Sequence, residues 1–121
     1  MRSRLVAAVL LPVLLLSAGF CCRRAVDARC RRMEALVQAA LTDAFPAAPL
    51  SRAGALWEES LPLLSTLLHH QPLEQVGSGL ARARGYLAAG DRAGFLAELH
   101  RLLYLLEDIR TYDDLTLQNL F

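Results

Sequence analysis

His69 and His70, followed by Glu74 and later by His100, are the residues whose types come closest to metal or acid–base chemistry. Neighbouring residues on a helix point about 100° apart, so the two imidazoles cannot easily share one ion. A site would need Glu74 or His100 brought in by tertiary packing. The plainer expectation is a pair of exposed or capping histidines at a helix end beside Pro72, where a helix C-terminus would favour them. Glu58-Glu59 and Asp113-Asp114 are paired carboxylates. As acids at helix starts they answer the positive end of the backbone dipole and need no general acid–base role. The chain has no glycine-rich phosphate loop, no Cys-x-x-Cys, no nucleophile motif and no lysine for Schiff-base formation. The expectation is a protein that is not an enzyme, with no catalytic residue, no cofactor and no metal.

Three cysteines, Cys21, Cys22 and Cys30, cannot all pair within one chain, and adjacent cysteines rarely bridge each other. None lies beyond residue 30, so packing must hold the rest of the chain together. Cys30 is expected as a buried thiol, while intermolecular pairing of Cys21 and Cys22, and so self-association, is the sharper alternative.

Charge is divided along the chain. All 13 basic residues are arginine; seven stand in residues 1–32 against the single Asp27, and six in residues 33–121 against eleven Asp and Glu. The larger, acidic part repels phosphate backbones, which argues against nucleic acid as a partner. Arg23, Arg24, Arg29, Arg31 and Arg32 form a basic cluster suited to solvent or to anionic lipid headgroups.

The cluster follows residues 5–22, which carry no charge. Eighteen helical residues rise about 27 Å, close to the hydrocarbon thickness of about 30 Å. Arg2 and Arg4 before the segment and the small residues Ser17-Ala18-Gly19 within it also suit a cleaved signal peptide. Retention is preferred, because the apolar run exceeds a usual signal core and continues through Phe20-Cys21-Cys22 into the basic stretch. Cys21 and Cys22 lack the small residues that precede a lipoprotein acceptor. Positive-inside logic would place the acidic domain in the cytoplasm, whereas the four residues before the segment suit a signal anchor facing outward. The side stays open, with an outward lean.

The remaining elements read as helices, since leucine dominates and β-branched residues are scarce. Val26, Cys30, Met33, Val37, Ala40 and Ala44 step by four and three, the spacing of one continuous helix seam. This stalk helix is expected to stop near Phe45-Pro46, with Pro49 confirming the break. A second helix is expected from Ser51 as N-cap, with Trp57, Leu61, Leu64 and Leu68 on one face and a kink or division at Pro62. A third, with Pro72 in its first turn, carries Leu73, Val76, Leu80, Ala83 and Leu87 and ends at a left-handed Gly90. Asp91 caps a fourth, which carries Phe95, Leu99, Leu102, Leu106 and Ile109.

Two surfaces are candidates for a partner. Gly77, Ala81, Gly85 and Ala89 line up small residues every four positions, which allows close backbone approach. Leu102, Leu103, Tyr104, Leu105 and Leu106 are apolar nearly all round the helix, as in a central core helix or an exposed patch. Residues 111–121 are expected to fold back on the bundle, with Asp113 or Asp114 as a cap and Leu117, Leu120 and Phe121 buried.

Trp57 near a helix start, LLHHQPLEQV at 67–76, the hairpin ARARGYLAAGDRAGFLAELHRLLYLLEDI at 81–109 and the close LTLQNLF together resemble the bacterial domain of unknown function family 4363, found mainly in Firmicutes. The resemblance covers residues 55–121, and the N-terminus in type. It implies a small membrane-anchored protein of the Gram-positive envelope and supplies no functional residues to carry over. The basic stalk and the missing lysines depart from the family's usual composition. GYLAAGDRAGFLAEL also resembles one tetratricopeptide hairpin, but stacked repeats need about three for stability.

The expected architecture is therefore all-α. Residues 1–22 form a transmembrane or signal-anchor helix, 23–45 a basic stalk and 46–121 a small antiparallel, left-handed, acidic bundle. The expected partner is a membrane protein alongside the membrane itself; a soluble secreted binding protein is the alternative.

Overall fold

A computed structural model describes residues 2–120, with side-chain surroundings for residues 2–111. The burial expected of Leu117, Leu120 and Phe121 falls on side chains outside these described residues, but the backbone corrects the rest of that expectation. One helix runs unbroken from Arg92 to Leu120, so no helix starts at Asp113 or Asp114 to be capped, and residues 111–120 prolong that helix and form no separate segment folded back on the bundle.

Four helices follow one another: α1 (Arg2–Thr42), α2 (Ala47–Leu67), α3 (His70–Ala89) and α4 (Arg92–Leu120). Among the described residues there is no strand. α1 runs 41 residues through Pro12. Its apolar half stands clear of the rest, with Leu5, Leu14 and Leu15 each more than 60% exposed. Its second half turns Val26, Cys30, Met33, Val37 and Ala40 inward, each at most 2% exposed. Ala44, the last position of that stripe, is exposed because the helix has already ended at Thr42. The Thr42 hydroxyl donates to the Gln38 carbonyl at 3.1 Å, and Asp43 Oδ1 accepts the Phe45 N–H at 3.1 Å.

α2 begins four residues before Ser51. Pro46 occupies its N-cap, and the Leu50 N–H reaches the Pro46 carbonyl at 3.1 Å. Pro49 lies in the first turn, where the missing N–H is not needed, so it starts the helix and does not mark a break. Pro62 lies within α2 and leaves it undivided. Its carbonyl accepts the Thr66 and Ser65 hydroxyls at 2.8 and 3.3 Å. Trp57 and Leu64 are buried, and Leu61 and Leu68 pack at the edge of the core.

α3 ends as its sequence predicts. Gly90 is left-handed (φ 74°), its N–H donates to the Leu87 carbonyl at 3.2 Å, and the Asp91 N–H donates to that of Tyr86 at 3.0 Å. Asp91 Oδ1 then accepts the Gly94 N–H at 3.0 Å and caps α4.

The connections are two to four residues long, so consecutive helices run antiparallel. α1 packs on α2, α2 on α3, α3 on α4, and α4 returns to α1. The ring is closed, and one continuous core fills it. The stretch 23–45 is therefore the first helix of the bundle as well as the continuation of the apolar segment, and the boundary at 45/46 falls between two helices sharing a core.

Candidate functional site

The histidines stand at the other kind of helix end from the one expected. His69 is the N-cap of α3 in extended conformation, without a side-chain cap bond, and His70 is its first helical residue. Both are exposed, as are Glu74 and His100. Among the described residues no group of three His, Cys, Asp or Glu is placed to hold a metal ion. Because α2 starts at Ala47, Glu58 and Glu59 lie in mid-helix, exposed, and not at a helix start.

The basic cluster is assembled where the apolar half of α1 meets the bundle, and its members are used unequally. Arg29 Nη1 donates to the Ser60 hydroxyl on α2 at 2.8 Å, and Ser60 is fully buried. Arg29 is thus a cross-link between helices, half-buried, with one guanidinium nitrogen engaged by α2. Arg31 pairs with Asp27 one turn earlier at 2.8 Å. Arg24 lies 5.5 Å from the Phe20 ring centre. Arg24 and Arg32 are exposed and Arg23 is half-buried, and Phe20, Arg23, Arg24, Asp27 and Arg31 line a shallow surface depression. Cys21 beside them is exposed, Cys22 half-buried and Cys30 buried.

The two candidate partner surfaces differ in what they offer. Ala81, Gly85 and Ala89 are exposed, and a methyl group built on Gly85 would meet nothing within 4 Å. Gly77 is half-buried, and its added methyl would lie 3.6 Å from the Trp57 indole nitrogen. The stripe is therefore open at Gly85, while at Gly77 the Trp57 ring lies at ordinary van der Waals distance. The close approaches are made elsewhere. A methyl on Gly79 would come within 2.7 Å of Leu102 Cδ2, and one on Gly54 would collide with the Arg84 guanidinium. In the LLYLL stretch, Leu102 and Leu106 are wholly buried, which removes Leu102 as a contact residue. Leu103 and Leu105 pack at the core edge, and Tyr104 is 69% exposed.

Two buried polar residues escape pattern reading. Ser60 falls between Trp57 and Leu64 on the inward face of α2. Glu98, next to Leu99 on the seam of α4, is only 8% exposed and receives Arg82 Nε at 3.1 Å, with Arg101 at 3.6 Å. A long side chain can bury its stem and still meet two half-exposed arginines. The signal available in sequence is the spacing Arg82–Glu98 across the hairpin, three residues from Arg101.

The fold defines a class: a closed four-helix bundle whose first helix continues, without a break, into a segment long and apolar enough to cross a membrane. A signal sequence meets the same criterion of length and hydropathy. The profile described as "Domain of unknown function (DUF4363)" matches residues 48–120, and the chain belongs to that family. The match spans α2, α3 and α4, the three helices that α1 completes. No curated protein and no solved structure matches the chain.

Proposed function

We propose that the protein is a non-enzymatic, single-pass membrane protein of the bacterial cell envelope whose bundle serves as an interaction or accessory subunit for a membrane partner. The observation that carries this reading is the build of α1. Its most apolar window has none of its residues buried against the protein, while the same helix contributes five residues to the core. Such a surface is unfavourable in water and suited to lipid. Tyr104, with Leu103 and Leu105, and the exposed part of the Gly77–Ala89 stripe are the contact surfaces proposed for the partner. Arg23, Arg24, Arg31 and Arg32 are proposed to face lipid headgroups.

A second reading is kept because the first core residue, Val26, lies beyond Ser17-Ala18-Gly19. Cleavage after Gly19 would leave the bundle entire, as a soluble secreted binding protein. Mature mass after expression in a Gram-positive host tests both. Full-length protein in the membrane fraction is expected, with cysteines engineered in the bundle accessible to an impermeant reagent on intact cells. Loss of the first 19 residues refutes the anchor, and full-length but protected protein reverses the side. For the partner, capture with the anchored protein should weaken for Tyr104→Glu and Gly85→Leu; identical recoveries with both variants remove these surfaces.

A further inference from the structure

The Arg29–Ser60 bond fixes the register of α2 against α1. Seven residues past Ser60, Leu67 lies about 10 Å further along α2, and the same distance back along α1 from Arg29 reaches Cys22. To within one helical turn, the α2–α3 connection is therefore level with the last residue of the uncharged run. No flexible linker separates the two, because α1 is continuous through this level.

The connection is built unlike the opposite end of the bundle. Residues 60–73 carry no Asp, Glu, Lys or Arg. The turns at the far end carry Asp43, Asp91 and Arg92. At the near end Leu67 is 40% exposed, and His69 and His70 are exposed beside it. The last turn of α2 satisfies its own polar groups: the Ser65 and Thr66 hydroxyls donate to the Pro62 carbonyl, and the Leu68 N–H to that of Leu64. A turn with an exposed leucine, internally satisfied hydroxyls and no carboxylate between Ser60 and the exposed Glu74 suits the headgroup layer, where a charged acidic turn would be repelled by anionic lipid. Arg23 and Arg24, at the same level on α1, bring the complementary charge.

We propose that the α2–α3 turn, residues 66–71, rests in the headgroup layer of the membrane that α1 enters, so that the bundle is held to an anionic lipid surface at a second point. This rests on the reading of α1 as a membrane-spanning helix. The experiment uses the full chain with Trp57→Phe, reconstituted into vesicles of three parts zwitterionic to one part anionic lipid. Single tryptophans are introduced as Leu14→Trp, Leu67→Trp and Phe45→Trp, and quenching is read with lipid brominated high on the acyl chain and with aqueous acrylamide. Leu67→Trp should lose emission to brominated lipid nearly as Leu14→Trp does, and several-fold more than Phe45→Trp. If Leu14→Trp is quenched by lipid while Leu67→Trp behaves like Phe45→Trp, the second contact is refuted and the anchor stands. If Leu14→Trp is not quenched, the anchor itself fails and this contact with it. A Leu67→Trp shielded from both quenchers is covered by protein, a second copy or another chain, which also overturns the proposal. Trp57→Tyr is the second background should Trp57→Phe lose its helical circular dichroism.

Discussion

Two deletions separate the two roles of α1. Removal of residues 1–22 takes away the exposed apolar half and leaves every residue of the core in place. Removal of residues 1–45 takes away Val26, Cys30, Met33, Val37 and Ala40, all at most 2% exposed, and opens the faces of α2 and α4 that they cover. Burying each of Val26, Met33 and Val37 stabilises by about 1.5–3 kcal/mol, so these three alone contribute roughly 5–9 kcal/mol. The Arg29–Ser60 and Arg110–Glu34 contacts are lost as well. A domain of this size has about 5–15 kcal/mol of net stability, so the second deletion removes most or all of it. Far-UV circular dichroism with thermal and urea unfolding is the assay. Residues 23–121 should unfold in one cooperative transition, and residues 46–121 should show none. A cooperative transition for 46–121 at nearly the same midpoint would refute the reading that α1 belongs to the bundle, and would restore residues 46–121 as an independent domain.

Substitutions at two glycines of α3 should have opposite signs. Gly79→Ala forces a methyl to 2.7 Å from Leu102 Cδ2 and should destabilise by about 1–3 kcal/mol through overpacking, whereas Gly85→Ala meets open space and should stabilise by up to about 1 kcal/mol; urea midpoints check both. Asp91→Ala removes the acceptor of the Gly94 N–H and should cost about 1 kcal/mol, with Asp91→Asn retaining most of it. Glu98→Ala should cost about 1–3 kcal/mol because it removes a nearly buried, charge-assisted acceptor, and combining it with Arg82→Ala should cost less than the sum of the two single changes, as a double-mutant cycle in urea would read.

The inward faces of α3 and α4 are legible in sequence because leucine spaced at three and four residues leaves a helix one way to turn. Gly90-Asp91 is legible for a local reason, since a left-handed glycine followed by a capping aspartate satisfies both helix ends without help from the rest of the chain. The start of α2 is not. Pro46 and Pro49 carry the same chemistry whether they break one helix or open the next, and the choice follows from how α2 packs on α1. The role of residues 23–45 is hidden similarly, because a seam of small and medium residues suits a stalk pairing with another chain as well as a bundle helix pairing with its own. Leu102 stands on the inward stripe of α4 as well as in the all-round apolar stretch offered as a partner surface, and its burial shows that the stripe decides. Arg29 is counted with a basic cluster by composition, and only the position of Ser60 on a different helix draws it out of that cluster. The small-residue stripe of α3 shows the converse: its spacing suggests an internal close contact, which the bundle makes through Gly79 and Gly54 instead.

The continuity of α1 has a mechanical meaning. From Val13, just past Pro12, to Thr42 the helix runs without another proline or a break, a rise of about 44 Å. A membrane helix tilted by about 20° would carry the far turns of such a bundle sideways by about 15 Å. With α1 held in a bilayer as proposed, the protein would be a lever with its fulcrum there. Changes in tilt, as from a thinner membrane or a neighbouring helix, would be delivered to Phe45 and the Gly90-Asp91 turn as displacement.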